Sequence, residues 1–268
     1  MIACSRMYNV APEVRAAWRT IFEWAASRSG VALEVIDHAA PAPLDDLWAR
    51  DDMGCVFMCG WPWAMSDPRP IILATPIPSP PRYSGQAVYF TDLVVRDDSD
   101  YQSLPDTFGG RLAWTIESSH SGYNALRHHL LRYRTAERPL LYAETVGPLV
   151  SPIRALQSVI DGTADVAPLD SMCLDILRRH APERIAGLRV IETTDAAPAP
   201  PLVASPNADA DESARISQAL RSANEDPALV QALDDVMVEK FVTVAPDLYD
   251  VTLARAEEAT NAGYAHPG

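Results

Sequence analysis

The sequence predicts an α/β fold of two lobes with a ligand cleft between them. Strand-like and helix-like segments alternate over residues 1–60 and again over 111–192. A β-rich stretch, Gln86–Val95, joins the two alternating regions. A Pro/Ala-rich stretch, Ala196–Pro201, then leads back through a short strand at Leu202–Ser205. Such alternation implies parallel sheets with helical crossovers, and ligands bind at the strand ends of such sheets. The expected boundaries are 1–90 plus 200–268 for lobe I and 91–199 for lobe II.

Ile2–Ser5 is the first strand. A helix follows from Pro12 to about Ser29, because proline suits a first turn and Gly30 a stop. Val14, Ala17, Trp18, Ile21, Phe22 and Ala25 fall at helical spacing along it. Ala32–Ile36 is a strand, Leu44–Arg50 a short helix and Gly54–Cys59 a strand, completing β-α-β-α-β. Gly60–Trp63 reads as a rigid aromatic loop and Ile71–Thr75 as a further strand. Pro76–Arg82 is too rich in proline for a helix or a central strand. In the second region Arg111–Ile116 is a strand and Ser121–Arg134 a helix. Leu140–Thr145 is a strand, and Ser151–Ile160 a helix capped by Ser151 and stopped at Gly162. Ala164–Leu169 is a strand, Ser171–His180 a helix and Leu188–Ile191 a strand. The tail offers helices near Asp211–Ala223 and Pro227–Phe241.

With 268 residues and 48% hydrophobic content, the chain can bury a sizeable core. Its formal charge of −14 disfavours nucleic acid and anionic membranes. An anion site must therefore work through local donors. Cys4, Cys55, Cys59 and Cys173 match no zinc or redox spacing. Cys55 and Cys59 sit about 13 Å apart if both lie on one strand, too far for a disulfide. Buried free thiols are expected, and no metal or cofactor is implied. Met1–Ser5 reads as a strand rather than a secretory signal, and no apolar run reaches the length of a membrane helix. The expected location is cytoplasmic, or periplasmic if the chain is a processed form.

The strand ending at Ile116 runs into Glu117, three serines and Gly122 before a helix begins. Hydroxyls and free N–H groups at a helix start suit an anion. Ser118, Ser119, Ser121 and the N–H groups near Gly122 and Tyr123 are thus candidates for binding phosphate, sulfonate or carboxylate. Ordinary helix capping is the alternative. His120 adds a charged donor if protonated, or is a surface histidine. Asp170 stands between a strand and a helix. It either faces the cleft and pairs with a cationic or hydroxyl group of the ligand, or caps the helix. Tyr8, Trp61 and Trp63 follow strands of lobe I and are candidates for an aromatic wall, the alternative being core. Asp165 reads as structural. His128 and His129 are adjacent, the wrong spacing for a metal pair on a helix. Cys59 is the one nucleophile candidate near these loops and has no identifiable base, so no catalytic constellation is expected. Together, Asp170 and the aromatic residues favour a small zwitterion or amino-bearing organic anion over bare phosphate.

Several segments resemble the periplasmic phosphate/phosphonate-binding proteins of ABC transporters. They are Phe90–Ser99 with Ser103–Ala113, Ser119–Tyr123, Ser158–Ser171, and Phe241, Tyr249 and Tyr264 of the tail. Ser119–Tyr123 is similar to the family's Ser-Thr-Ser-Gly-Tyr/Phe anion loop, with His120 in place of threonine. Gly147-Pro148-Leu149 stands where family members often have Gly-Ser-His. The resemblance implies a type II periplasmic-binding-protein-like fold. It also implies a solute-binding function for a small anionic or zwitterionic ligand, with an ABC transporter permease as partner. A cytoplasmic enzyme or a ligand sensor on the same fold is the alternative.

Overall fold

The computed structural model describes residues 1–267. The chain divides into two compact units, one from Met1–Val88 and Pro198–Tyr249, the other from Tyr89–Ala197 and the segment beginning at Asp250.

In chain order the first unit opens with β1 (Ile2–Cys4), α1 (Pro12–Ser29), β2 (Glu34–Val35), α2 (Leu44–Trp48), β3 (Met53–Phe57), α3 (Gly60–Met65) and β4 (Ile71–Pro78). The chain then passes through β5 (Val88–Tyr89). The second unit holds β6 (Thr91–Arg96), β7 (Arg111–Ala113), α4 (Ala125–Leu130), β8 (Glu144–Val146), α5 (Pro152–Ile160), β9 (Ala167–Asp170), α6 (Ser171–His180) and β10 (Leu188–Thr193). Through β11 (Ala197–Pro198) the chain returns to β12 (Leu202–Ala204), α7 (Ala210–Arg221), α8 (Val230–Asp235) and β13 (Val238–Val242). It ends with α9 (Asp250–Asn261) in the second unit.

The first unit is built on a six-stranded sheet in the order β13-β4-β12-β3-β1-β2. β1, β2 and β3 run parallel, as the β-α-β-α-β reading requires, while β12 is antiparallel to both β3 and β4. α1 starts at Pro12 and ends where Gly30 takes a left-handed φ of 68° and bonds its N–H to Ala26 O. Its buried face carries Trp18, which stacks on Phe22 and meets Phe57 edge-on at 4.9 Å.

In the second unit β6 pairs antiparallel with both β10 and β9, and β7 pairs parallel with β8. Leu93, Val95, Leu112, Leu126, Leu130, Val166 and Tyr264 share one buried apolar cluster.

Four expectations are corrected. Pro76 and Pro78 lie inside β4, in the part paired with β13 and beyond its pairing with β12. A residue lacking an N–H is tolerated where a strand is paired on one side. Val238–Val242 is the strand β13 rather than the end of a helix, because Val238 and Phe241 are buried there beside exposed Glu239. Gly60–Met65 is a short helix rather than a loop, and Pro62 fits its first turn. Finally, the C-terminal segment belongs with the second unit and not with lobe I. Tyr264, 1% exposed, fills the second unit's apolar cluster and carries α9 with it.

Candidate functional site

The serine-rich loop forms a π-helical turn at His120–Asn124 that leads into α4. Its bonds span five residues: Asn124 N–H to Ser119 O and Ala125 N–H to His120 O. Such turns recur at functional sites. The turn is pressed against the strand end before it. Thr115 N–H bonds to Gly122 O at 3.3 Å, and a Cβ on Gly122 would lie 1.9 Å from Thr115 Oγ1. Thr115 O in turn accepts the N–H of Val150, which holds a left-handed φ of 67°. That backbone costs a β-branched residue energy, and such strain concentrates at sites of function.

The loop's polar groups divide into two sets. Ser119 Oγ accepts Gly122 N–H at 2.9 Å, so it caps the turn and the Gly122 N–H is taken. Tyr123 donates its hydroxyl to Ala265 O at 2.8 Å, lies 2.8 Å from His266 Nδ1, and has Arg127 over its ring. These two side chains build the turn. By contrast, Thr115 Oγ1, Ser118 Oγ and His120 Nε2 are buried atoms with no hydrogen-bond partner among the described residues. Ser121 is 7% exposed, and its carbonyl accepts from Thr91 Oγ1 at 3.0 Å. Thr115 is the residue of this set that the sequence reading missed. Its position one residue before Ile116, in the strand feeding the loop, was the available signal.

His120 is 1% exposed, which corrects both the charged-donor and the surface-histidine expectations. Asn124 Nδ2 donates to Thr252 O at 2.9 Å and lies 3.2 Å from His120 Nδ1. The amide nitrogen is a donor only, so Nδ1 accepts and the ring hydrogen sits on Nε2. Burial, with Arg255 and His128 adding, pushes the His120 pKa down to about 3. It is therefore a neutral N–H donor. The unfolded chain binds a proton here below about pH 6.5 while the folded chain stays neutral down to its lower value. Stability from this group is full above that range and is lost as pH falls, by up to about 1.4 kcal/mol per unit. His120→Gln should therefore shrink the fall in melting temperature between about pH 7 and about pH 5. Calorimetry at the two pH values checks this, and an unchanged fall contradicts it.

Asp170 is 6% exposed at the end of β9, opposite Thr91 of β6. Thr91 thereby ties the strand bearing Asp170 to the loop bearing Ser121. Asp170 Oδ1 accepts the N–H groups of Met172 and Cys173 at 2.9 and 3.1 Å, so the capping role is realised at α6. Asp165 is structural: its carboxylate accepts Arg111 N–H at 2.7 Å and pairs with the Arg111 side chain.

In the first unit, Trp63 is a core side chain. It is 2% exposed, donates Nε1–H to Pro70 O at 2.8 Å and packs on Tyr249. That corrects its place in an aromatic wall. Tyr8 is fully buried with its ring edge-on to Phe57, while Trp61 keeps partial exposure on α3. All four cysteines are buried thiols outside any disulfide, and burial pushes the Cys55 thiol up. His128 pairs with Glu258, and buried His129 lies 2.5 Å from Glu192. Among the described residues no cluster could hold a metal ion, and no helix is long and apolar enough to cross a membrane.

Residues 9–249 match the profile of the family described as ABC transporter, phosphonate, periplasmic substrate-binding protein. A search of curated proteins found no match. Solved structures with similar folds include a binding protein component of an ABC phosphonate transporter from Pseudomonas aeruginosa. It is 16% identical, with a TM-score of 0.80, over 98% of this chain and 86% of that one. PhnD1 from Prochlorococcus marinus in complex with methylphosphonate is 13% identical, with a TM-score of 0.78, over 97% of both chains. MatC from Rhodopseudomonas palustris with bound malate is 14% identical, with a TM-score of 0.60, over 98% of both. The fold is accordingly the two-lobed type II periplasmic-binding-protein fold. The chain belongs to the phosphonate family of periplasmic substrate-binding proteins of ABC transporters.

Proposed function

We propose that this protein captures a small organic anion or zwitterion of the phosphonate class and delivers it to an ABC transporter permease without chemically changing it. The observation that carries this reading is the set of Thr115 Oγ1, Ser118 Oγ and His120 Nε2, buried on one loop and unpartnered. A buried polar atom left without a partner costs about 1–3 kcal/mol. A ligand oxyanion that accepts from these donors offsets that cost, and neutral donors suit an acidic protein with a formal charge of −14. In this reading Asp170, opposite Thr91 on the neighbouring strand, favours an ammonium on the same ligand. The relative holding methylphosphonate supports the ligand class.

A thermal-shift series with methylphosphonate, inorganic phosphate and an aminoalkylphosphonate tests this. A ligand at 100 times its Kd stabilises the folded form by about 2.7 kcal/mol, roughly 5–10 °C for a chain of this size. The aminoalkylphosphonate should give the largest rise. Asp170→Asn, which keeps a good cap, should weaken the amino-bearing ligand and leave methylphosphonate as tightly bound or tighter. Equal loss for both ligands contradicts the ammonium role, and no rise with any phosphonate contradicts the function.

A further inference from the structure

We propose that Arg6 is a second oxyanion-binding group, located in the first unit, that takes a carboxylate, phosphonate or phosphate in the loop after β1. The proposal stands apart from the serine loop of the second unit and does not depend on it.

Arg6 lies in the connection between β1 and α1. β1 and β3 are adjacent and parallel, so their carboxyl ends open at the same edge of the sheet, one into the Arg6 loop and the other into α3 with Trp61. That edge is where ligands bind in open α/β sheets. The Arg6 side chain is partly buried, and its Nε is fully shielded with no hydrogen-bond partner. Among the described residues no carboxylate pairs with it. Burial lowers its pKa.

Several other arginines hold a carboxylate directly. Arg50, Arg96 and Arg111 each hold an aspartate through two guanidinium nitrogens: Asp52, Asp98 and Asp165. The chain has 36 acidic residues against 22 basic ones, yet none of the carboxylates among the described residues reaches Arg6. A shielded Nε–H left without an acceptor is costly, and the planar guanidinium fork of five donors fits an oxyanion. The surrounding loop is itself fixed. Tyr8 N–H bonds to Ser5 O, and Ser5 Oγ donates to Asn9 Oδ1 at 2.7 Å. The guanidinium is thus presented from a rigid turn and not from a mobile tail.

The test follows the Arg6 Nε–Hε resonance by NMR, assigned with Arg6→Lys, as acetate, inorganic phosphate or methylphosphonate is added to separate samples of the full chain. At least one of the three should move that resonance saturably, and the one that does names the anion. By calorimetry, Arg6→Gln should then weaken that anion about tenfold or more, with Arg6→Lys in between. The proposal is overturned if the resonance stays fixed with all three anions to the millimolar range. It is equally overturned if folded Arg6→Gln binds the active anion within about twofold of the unaltered chain. Should Arg6→Gln fail to fold, the resonance of the unaltered protein alone decides.

Discussion

Gly122→Ala should lower the melting temperature by roughly 6–12 °C, a loss of about 3 kcal/mol for a chain of this size. The added Cβ would sit 1.9 Å from Thr115 Oγ1 and 2.9 Å from Thr115 Cβ and Cγ2. Thr115 cannot turn away easily. It is β-branched, 5% exposed and tied to Gly122 O through its own N–H. Separating the two segments breaks that bond as well. Thr115→Ala removes two of the three clashing atoms, so the double variant should regain most of the loss. The pair should show a coupling energy of about 1 kcal/mol or more. Differential scanning calorimetry checks this. A Gly122→Ala protein melting within about one degree of the unaltered chain would show that loop and strand are not pressed together.

Ser118→Ala combined with Ser121→Ala should weaken methylphosphonate binding by roughly a hundredfold or more, since each hydrogen bond to a charged group contributes about 1.5–3 kcal/mol. Neither hydroxyl holds the fold. Ser118 Oγ has no partner among the described residues, and the contact from Thr91 is to the Ser121 carbonyl, which the change keeps. The melting temperature without ligand should therefore not fall, and it should rise to the extent that Ser118→Ala removes a buried hydroxyl without a partner. Ser119→Ala is the opposite case. Its hydroxyl caps Gly122 N–H, so its loss should cost about 1 kcal/mol of stability. Titration calorimetry and thermal melts on the two proteins separate binding from capping. Unchanged affinity in the double variant would remove the serine loop from the site.

Much of this fold was legible because local signals agree with tertiary demand. Pro12 and Gly30 bracket α1, and the apolar face read at helical spacing is the face the structure buries. Ser151 and Pro152 start α5 in the same way. The failures arise where tertiary context overrides a local rule. Pro76 and Pro78 join a strand because one side of it needs no donor there. The C-terminal segment joins the second unit through Tyr264 in its apolar cluster and through bonds at Thr252, Glu258 and Ala265, and no periodicity encodes those contacts. At the site, the sequence located the loop but not the division of labour within it. Ser119 and Tyr123 read like their neighbours as residue types. They differ only in having partners, and those partners at Gly122, Ala265 and His266 exist only after folding. His120 could not be read as neutral, because its burial depends on α9, which no sequence signal placed beside it.

The central claim is that the loop from Thr115 to Gly122 holds the ligand's anionic group. A titration of ¹⁵N-labelled protein with methylphosphonate, followed through the backbone amides, addresses it most directly. The largest saturable shifts should fall on residues 118–122, with Thr115 following at the same apparent Kd. Saturable binding that leaves those amides unmoved while shifting another segment would contradict it.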